Sequence, residues 1–363
     1  MPSQTYLPAG NLGGKGEIRM AAKSRMRFSV IGLNHYHIFG QVNCLLDAGA
    51  ELVAVHAQGG EPEIVKKFRE QYPQAHEVRE KAEILEDETI QMVVAAAIPF
   101  QRAPLGVEVM RHGKDYMTDK GGFTTLDQLA EARQVQAETG RIYSICFSER
   151  FETPSTAKAA ELVRAGAIGR VLQTVGLGPH ALHNQPRPDW FFRKKETGGI
   201  LADIASHQVD QFLYFTQSEN AEVVASQVAN HNNPAHPEFE DFGDIVLNGN
   251  GATGYIRVDW FTPDGLPVWG DGRLFILGTE GYIELRKYID IAGKPGAHHL
   301  FMTDKNGVQY IDCKDVKLPY GGQLIDDVLN RTETAMGQKH CFLASQLCLE
   351  AEAKAKRLGH LAG

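Results

Sequence analysis

Arg27-Phe28-Ser29-Val30-Ile31-Gly32-Leu33-Asn34-His35-Tyr36-His37 opens as a short apolar run and breaks at a glycine, the pattern of a buried strand that runs into a turn. The pattern recurs four times. Leu52 to Val55, Met92 to Ala96, Tyr116-Met117 and Ile142 to Ile145 read as strands, and residues 41–48, 62–72, 103–112 and 126–138 between them carry helical periodicity. Strands buried on both faces and separated by helices predict a parallel sheet, because a parallel pair needs a crossover connection. Ligands of such sheets sit beyond the carboxyl ends of the strands. The residues that follow each run therefore carry the functional information.

Composition bounds what the chain can be. Its 363 residues are 43% hydrophobic and 23% charged, which suits two globular domains. No apolar run is long enough to span a bilayer. Residues 1–25 lack the apolar segment of a secretion signal and read as a flexible leader. Cys44, Cys146, Cys313, Cys341 and Cys348 are dispersed, without CxxC spacing, which predicts reduced thiols in a cytoplasmic protein. A net charge of −8 without any basic run speaks against nucleic acid or an anionic membrane as partner.

At the strand ends, a full dinucleotide turn would read GxGxxG, and Gly32-Leu33-Asn34-His35-Tyr36-His37 keeps only the first glycine. Asn34 tolerates a left-handed backbone and can replace the second. After Val55 the chain has His56-Ala57-Gln58-Gly59-Gly60, with no carboxylate for a ribose 2′-hydroxyl, so NADP is expected to bind at least as well as NAD, with Lys66 and Lys67 as candidate phosphate partners. Ala97-Ile98-Pro99-Phe100-Gln101 forms an apolar turn suited to lie against a cofactor. Thr118-Asp119-Lys120-Gly121-Gly122 then delivers a lysine into the same crevice.

A second stretch is chemically unusual. In Gly198-Gly199-Ile200-Leu201-Ala202-Asp203-Ile204-Ala205-Ser206-His207-Gln208-Val209-Asp210, helical spacing puts Asp203, His207 and Asp210 on one face of an otherwise apolar helix. Histidine takes and returns a proton near neutral pH, and a carboxylate one turn away can orient it. The alternative is an N-terminal capping Asp203 with a hydrogen-bonded core His207.

Between these stretches, residues 157–165 read as a helix and Val171 to Val175 starts a second sheet. The loop 178–193 is long, polar and aromatic, as a sugar site requires, with His180, Trp190 and Arg193 as candidate contacts. Trp190 and Phe191 serve there either as stacking faces or as anchors. His180, His183, His298 and His299 lack a third ligand at zinc-like spacing, so no metal site is expected. Runs at 223–226, 242–247, 254–260, 274–277, 282–285, 299–303 and 308–311 follow at hairpin spacing, and two helices, 322–330 and 341–358, close the chain. The open face of such a sheet must be covered, which predicts a homodimer or homotetramer.

Taken together, the strand-helix order, Asp119-Lys120, the strand ending in Cys146-Phe147-Ser148-Glu149-Arg150-Phe151, and Gly-Gly-x-x-x-Asp-x-x-x-His-x-x-Asp make the chain resemble the Gfo/Idh/MocA oxidoreductases from Arg27 to its end. The resemblance implies an α/β chain with a Rossmann-type parallel sheet in a dinucleotide-binding domain, 26–150. It also implies a C-terminal α+β domain, 151–363, with a large, mostly antiparallel open-faced sheet for substrate and oligomerisation. By position in the family's motifs, Lys120, Asp203 and His207 become the catalytic set. Gly32, Asn34, His35, His37, Ala97, Ile98, Pro99, Gln101 and Lys120 become cofactor contacts, and Arg150, His180, Trp190 and Arg193 substrate contacts. Gly121 stands where the family has proline, which implies a less rigidly aimed Lys120. The implied activity is NAD- or NADP-dependent hydride transfer to or from a secondary alcohol of a sugar, cyclitol or glycoside. The alternatives are a redox-neutral isomerase, epimerase or lyase with bound NAD(H), and a regulatory nucleotide- or sugar-binding protein without turnover.

Overall fold

The computed structural model describes residues 25–182 and 186–359. The predicted leader and His183 lie outside them. The first half runs β1 (Arg27–Leu33), α1 (Ile38–Asp47), β2 (Glu51–His56), α2 (Pro62–Gln71), β3 (His76–Val78), α3 (Ala82–Leu85), β4 (Met92–Ala96), α4 (Pro99–Arg111), β5 (Asp115–Asp119), α5 (Leu126–Thr139) and β6 (Tyr143–Cys146). All six strands are parallel, in the order β3-β2-β1-β4-β5-β6, so the order reverses between β1 and β4. β4, β5 and β6 are buried at every residue, as helices on both faces demand. Local signals set the helix ends: Pro62 and Pro99 start α2 and α4, Thr125 accepts the Gln128 amide at the start of α5, and Gly140 ends α5 in a left-handed conformation. Only β3 and α3, at three and four residues, went unforeseen, being too short to show a period.

The second half continues with α6 (Ser148–Phe151), α7 (Pro154–Arg164), β7 (Val171–Pro179), a 3₁₀ turn (Asp189–Phe192), α8 (Lys194–Thr197), α9 (Ile200–Asp203), α10 (Ser206–Thr216) and β8 (Ala221–Ala229). It ends with β9 (Phe242–Gly249), β10 (Ala252–Asp259), β11 (Arg273–Gly278), β12 (Gly281–Arg286), β13 (His299–Asp304), β14 (Gly307–Asp312), α11 (Tyr320–Asn330), α12 (Gln338–Lys354) and β15 (Lys356–Arg357). These strands form one sheet, β14-β13-β12-β11-β7-β10-β9-β8-β15, antiparallel except for β7 with β10 and β8 with β15. One face carries α7 and α10. Gly176 and Gly254 admit α10, since a Cβ at either would lie 2.6 Å from the Gln208 or 2.8 Å from the Phe212 side chain. The other face is open: register aligns Val246, Tyr255, Val175, Phe275, Phe301 and Tyr310 across it, flanked by the row Leu277, Tyr282 and Val308. Tyr282 and Val308 are 46% and 77% exposed. The last helices return to the first half of the chain and to the helices beside it, α11 onto α1 and α12 onto α5, β6, α9 and α10. No helix among the described residues is long and apolar enough to cross a membrane.

Two predicted features change. The helix expected from 200 onward breaks after Asp203, where the Ser206 hydroxyl donates to the Asp203 carbonyl at 2.7 Å, so α9 and α10 meet at a bend. Asp210 moreover leaves the chemical stripe. It is fully buried and takes both Nε and Nη2 of Arg150 at 2.8 Å and His340 Nε2 at 2.7 Å. Arg150, expected to touch substrate, is thus a structural cation, sandwiched by Phe151 and Tyr214. Its spacing after β6 suggested the crevice, but a buried carboxylate needs a buried counter-charge, and Asp210 claims it.

At the start of α9, Ile200 N donates to Glu240 and Leu201 N to Glu352, while Lys194 joins the two carboxylates. Burial, then the Glu240 charge, pushes Glu352 up to about 7 against the opposing charge of Lys194. The folded protein therefore holds a proton there between the ordinary value of 4.5 and about 7 that the unfolded chain has released, and stability should fall as pH rises through that window. Thermal melts at the two ends of the window should show Glu352→Gln flattening this dependence; an unchanged pH slope would contradict it. Arg150→Met, which leaves buried Asp210 with His340 alone, should cost about 3–5 kcal/mol of unfolding free energy in urea titrations. A loss below about 1 kcal/mol would return Arg150 to the list of ligand contacts.

Candidate active site

The ends of β1, β4 and β5 lie side by side, and one side chain ties two of them together. Arg102 of α4 is almost fully buried; its Nε donates to the Ala97 carbonyl at 2.7 Å, Nη1 to the Lys120 carbonyl, and Nη2 to Asp119 Oδ2 at 3.2 Å. Asp119 Oδ1 in turn accepts the Lys120 amide at 2.7 Å. Burial opposes ionisation of Asp119, but the charges of His37 and Arg102 and hydrogen bonds from His35 and His37 outweigh it and hold the carboxyl well below the usual range.

This frame aims Lys120 into the crevice, where Nζ meets Asp203 Oδ1 at 2.5 Å. Burial again opposes ionisation, and the Lys120 charge and hydrogen bond overcome it, lowering the Asp203 pKa. Gly121, standing for the expected proline, has φ +68, a conformation proline cannot adopt. Lys120 is nevertheless held through its own N–H, carbonyl and Nζ, so the expected looseness is absent.

His207 lines an adjoining cavity of about 320 Å³ together with His35, His37, Glu149, His180, Arg187, Lys287 and Tyr288. Its Nδ1 is buried without a hydrogen-bond partner. Burial, then the Lys120 and Lys287 charges, drives its pKa well below 6.5, so the imidazole is neutral at physiological pH. Asp203 therefore orients Lys120 rather than His207. The Lys120–Asp203 pair opens on a smaller lobe, walled by Pro99, Trp190, Phe191, Trp260 and Trp269, that shares His35, His37, His180 and Arg187 with the first.

His180 Nδ1 donates to the Gly178 carbonyl at 3.1 Å, which leaves Nε2 with its lone pair. Its ring sits between Trp260 and Trp269, and burial, then the Lys120 charge, lowers its pKa to about 3. Trp190 lines the lobe and also anchors, since its Nε1 donates to Glu61 at 2.9 Å across the domain junction. Glu61, just before α2, is the first carboxylate after β2, later in the chain than the position searched for a ribose contact.

Gly32 has φ +92, and a Cβ there would lie 2.9 Å from Ala97 Cβ, so the first turn keeps the tight glycine geometry. Asn34 closes the turn, its backbone N–H on Ala96 O at 3.0 Å and its Nδ2 on Gly59 O at 2.8 Å. Ala97, Ile98 and Pro99 lead into α4 as expected. Lys67 lies over the Tyr36 and Phe39 rings.

Two further expected contacts are elsewhere. Gln101 is exposed on α4 and lines neither lobe, because one more residue of helix rotates it away from the turn. Arg193 faces solvent beside Glu196, since the 3₁₀ turn before it buries the aromatic face instead. Sequence reasoning missed Arg102, Glu149, Arg187, Trp260, Trp269 and Lys287. Arg187, within the quoted loop, packs its guanidinium 4.7–5.1 Å from the Phe191, Trp260 and Trp269 ring centroids. Two of these rings, Trp260 and Trp269, come from the segment after β10, a distance in sequence that no local pattern spans.

The family model described as GFO/IDH/MocA C-terminal domain matches residues 156–284. Over 92% of this chain and all of the other, the structure of a protein from Erwinia carotovora atroseptica classed as an oxidoreductase superposes with TM-score 0.89 at 45% identity. The scyllo-inositol 2-dehydrogenase (NAD(+)) of Bacillus subtilis is 26% identical over 271 residues, 71% of this chain and 73% of that one. Levoglucosan dehydrogenase of Pseudarthrobacter phenanthrenivorans is 23% identical over 54% of this chain, which spans about half, 51%, of that enzyme's length. The chain belongs to the Gfo/Idh/MocA family of oxidoreductases.

Proposed function

We propose that the protein is an NAD(P)-dependent dehydrogenase that oxidises a secondary alcohol of a sugar or cyclitol, or reduces the matching ketone. The observation that carries this reading is the buried Lys120–Asp203 pair at 2.5 Å, beside a cavity that His207 lines with a neutral imidazole. A nicotinamide dinucleotide suits these residues. Gly32 and Asn34 would hold it at the first turn, Ala97, Ile98 and Pro99 would pack along it, and Lys120 would lie at its reactive end. When bound, it accepts or supplies the hydride. The names of the two related dehydrogenases, acting on a cyclitol and an anhydrosugar, support a polyol substrate.

The chain's own residues handle the proton. A hydroxyl in the cavity hydrogen-bonds to Lys120 Nζ, which stabilises developing alkoxide charge, while Asp203 keeps the ammonium in place. His207 accepts the hydroxyl proton in oxidation and returns it in reduction. Its depressed pKa keeps it in the base form, so protonation near 6.5 should not limit oxidation. Trp260, Trp269 and Trp190 present flat faces to a sugar ring, and Arg187 and His180 supply polar contacts. The five free thiols fit a reducing cytoplasm.

Absorbance at about 340 nm, with NAD or NADP and a panel of polyols, tests the reading. NADP should serve at least as well as NAD. Under saturating substrate, His207→Ala should lower kcat by about 10²- to 10⁴-fold with nucleotide affinity and melting temperature nearly unchanged. Lys120→Ala should be as severe and should also weaken nucleotide binding. A well-folded His207→Ala protein with an undiminished rate would overturn the assignment.

The apolar rows on the open sheet face also need cover, and we propose a second copy of the chain as what covers them. Light scattering at micromolar concentration should give a multiple of the chain mass, reduced by Tyr282→Lys with Val308→Lys. A monomeric wild type would refute this.

A further inference from the structure

The first turn carries two histidines where a dinucleotide turn carries small residues, and both face one carboxylate. His37 Nδ1 lies 2.7 Å from Asp119 Oδ1 and His35 Nδ1 3.3 Å from Asp119 Oδ2, with the two rings edge to face at 4.3 Å. One donor atom from each of the three residues falls within 4.8 Å of the other two. We propose that His35, His37 and Asp119 form a binding site for a divalent transition-metal ion at the mouth of the cavity.

Charge balance argues for this over a simple ion pair. Asp119 already pairs with the buried guanidinium of Arg102, and both imidazoles turn toward it as well. Two imidazoles that turn toward a carboxylate already neutralised are arranged for a shared central point. Metal bonds to imidazole nitrogen and carboxylate oxygen of about 2.0–2.2 Å place the ligand atoms of a tetrahedral shell roughly 3.3–3.6 Å apart, which the three donor atoms, already within 4.8 Å of one another, reach by small side-chain adjustments.

The surroundings complete the description. Arg102 and the Lys120 amide fix the Asp119 carboxylate from behind, the outer support that metal-ligating carboxylates require. His35 and His37 line both lobes of the cavity, so the remaining coordination positions open toward the space shared with His180, Arg187 and Trp269. Two nitrogens and one oxygen suit zinc, cobalt, iron or manganese, with water or a substrate oxygen completing the shell. Among the described residues, His180, His298 and His299 do not gather in this way. His299, for one, is engaged by Tyr310 and the Gly296 carbonyl in the second sheet.

The full chain, stripped with a chelator and dialysed, should be titrated with Co(II), whose visible absorption reports nitrogen ligation, and with Zn(II) by calorimetry. One ion per chain is expected, with a raised melting temperature. His35→Ala and His37→Ala should each weaken binding by at least about 10-fold, the lower end of what losing even an outer partner costs, and the double variant should abolish it. His37 has a side chain 38% exposed, so its loss should leave the fold intact, and His37→Gln repeats the test with less change of volume. No binding at micromolar metal, or binding undiminished in the double variant, would overturn the proposal. The site does not depend on the dehydrogenase reading, and failure of turnover would leave it standing.

Discussion

A buried guanidinium holds this active site together. Arg102 cannot leave its charge unpaired in the interior, and it is satisfied only by groups from the ends of two adjacent strands, the Ala97 carbonyl after β4 and the Asp119 carboxylate and Lys120 carbonyl at β5. The desolvation penalty of the arginine is thereby converted into a fixed separation between two loops. Lys120 takes its direction from that frame. The glycine that replaces the family's proline is tolerated because the frame, and not the φ angle after the lysine, sets the aim.

The second half of the site is anchored from the opposite side. Glu240 and Glu352 satisfy the first free N–H groups of α9, and Lys194 balances their charge, so the short helix carrying Asp203 is tied to β8, β9 and α12. Trp190 to Glu61 and α12 against α5 then close the two domains on each other. The Lys120–Asp203 pair sits where these two supports meet. Its short distance is a consequence of rigid packing on both sides.

Much of the fold was legible because its cause is local. β1, β2, β4, β5 and β6 announce themselves through short, mostly apolar runs, and the hairpins of the second sheet through Asn248-Gly249-Asn250-Gly251 and Lys305-Asn306-Gly307. Burial requires that periodicity, so periodicity reveals burial. Lys120, Asp203 and His207 were proposed through the family resemblance, and a strand end and a helix start give them fixed positions relative to the sheet. Arg150 and Asp210 were misread because each fits the spacing of a site residue, and nothing local says that each is the other's partner.

Sequence by itself determined the alternation of strands and helices, the crevice at the strand ends, the absence of a ribose carboxylate at Ala57, and the residue types of the candidate site. These follow from hydrophobic period and from chemistry carried by single side chains. Tertiary structure decided which charges meet. β4 lies between β1 and β5, so the turn bearing His35 and His37 reaches across about 10 Å of sheet to Asp119, a contact 82 residues apart in the chain that only strand order creates. It decided likewise that Asp210 is buried against Arg150 and that Trp260 and Trp269 wall the cavity. Electrostatic pairing in a low-dielectric interior depends on distances between remote segments, and those distances exist only once the sheets have formed.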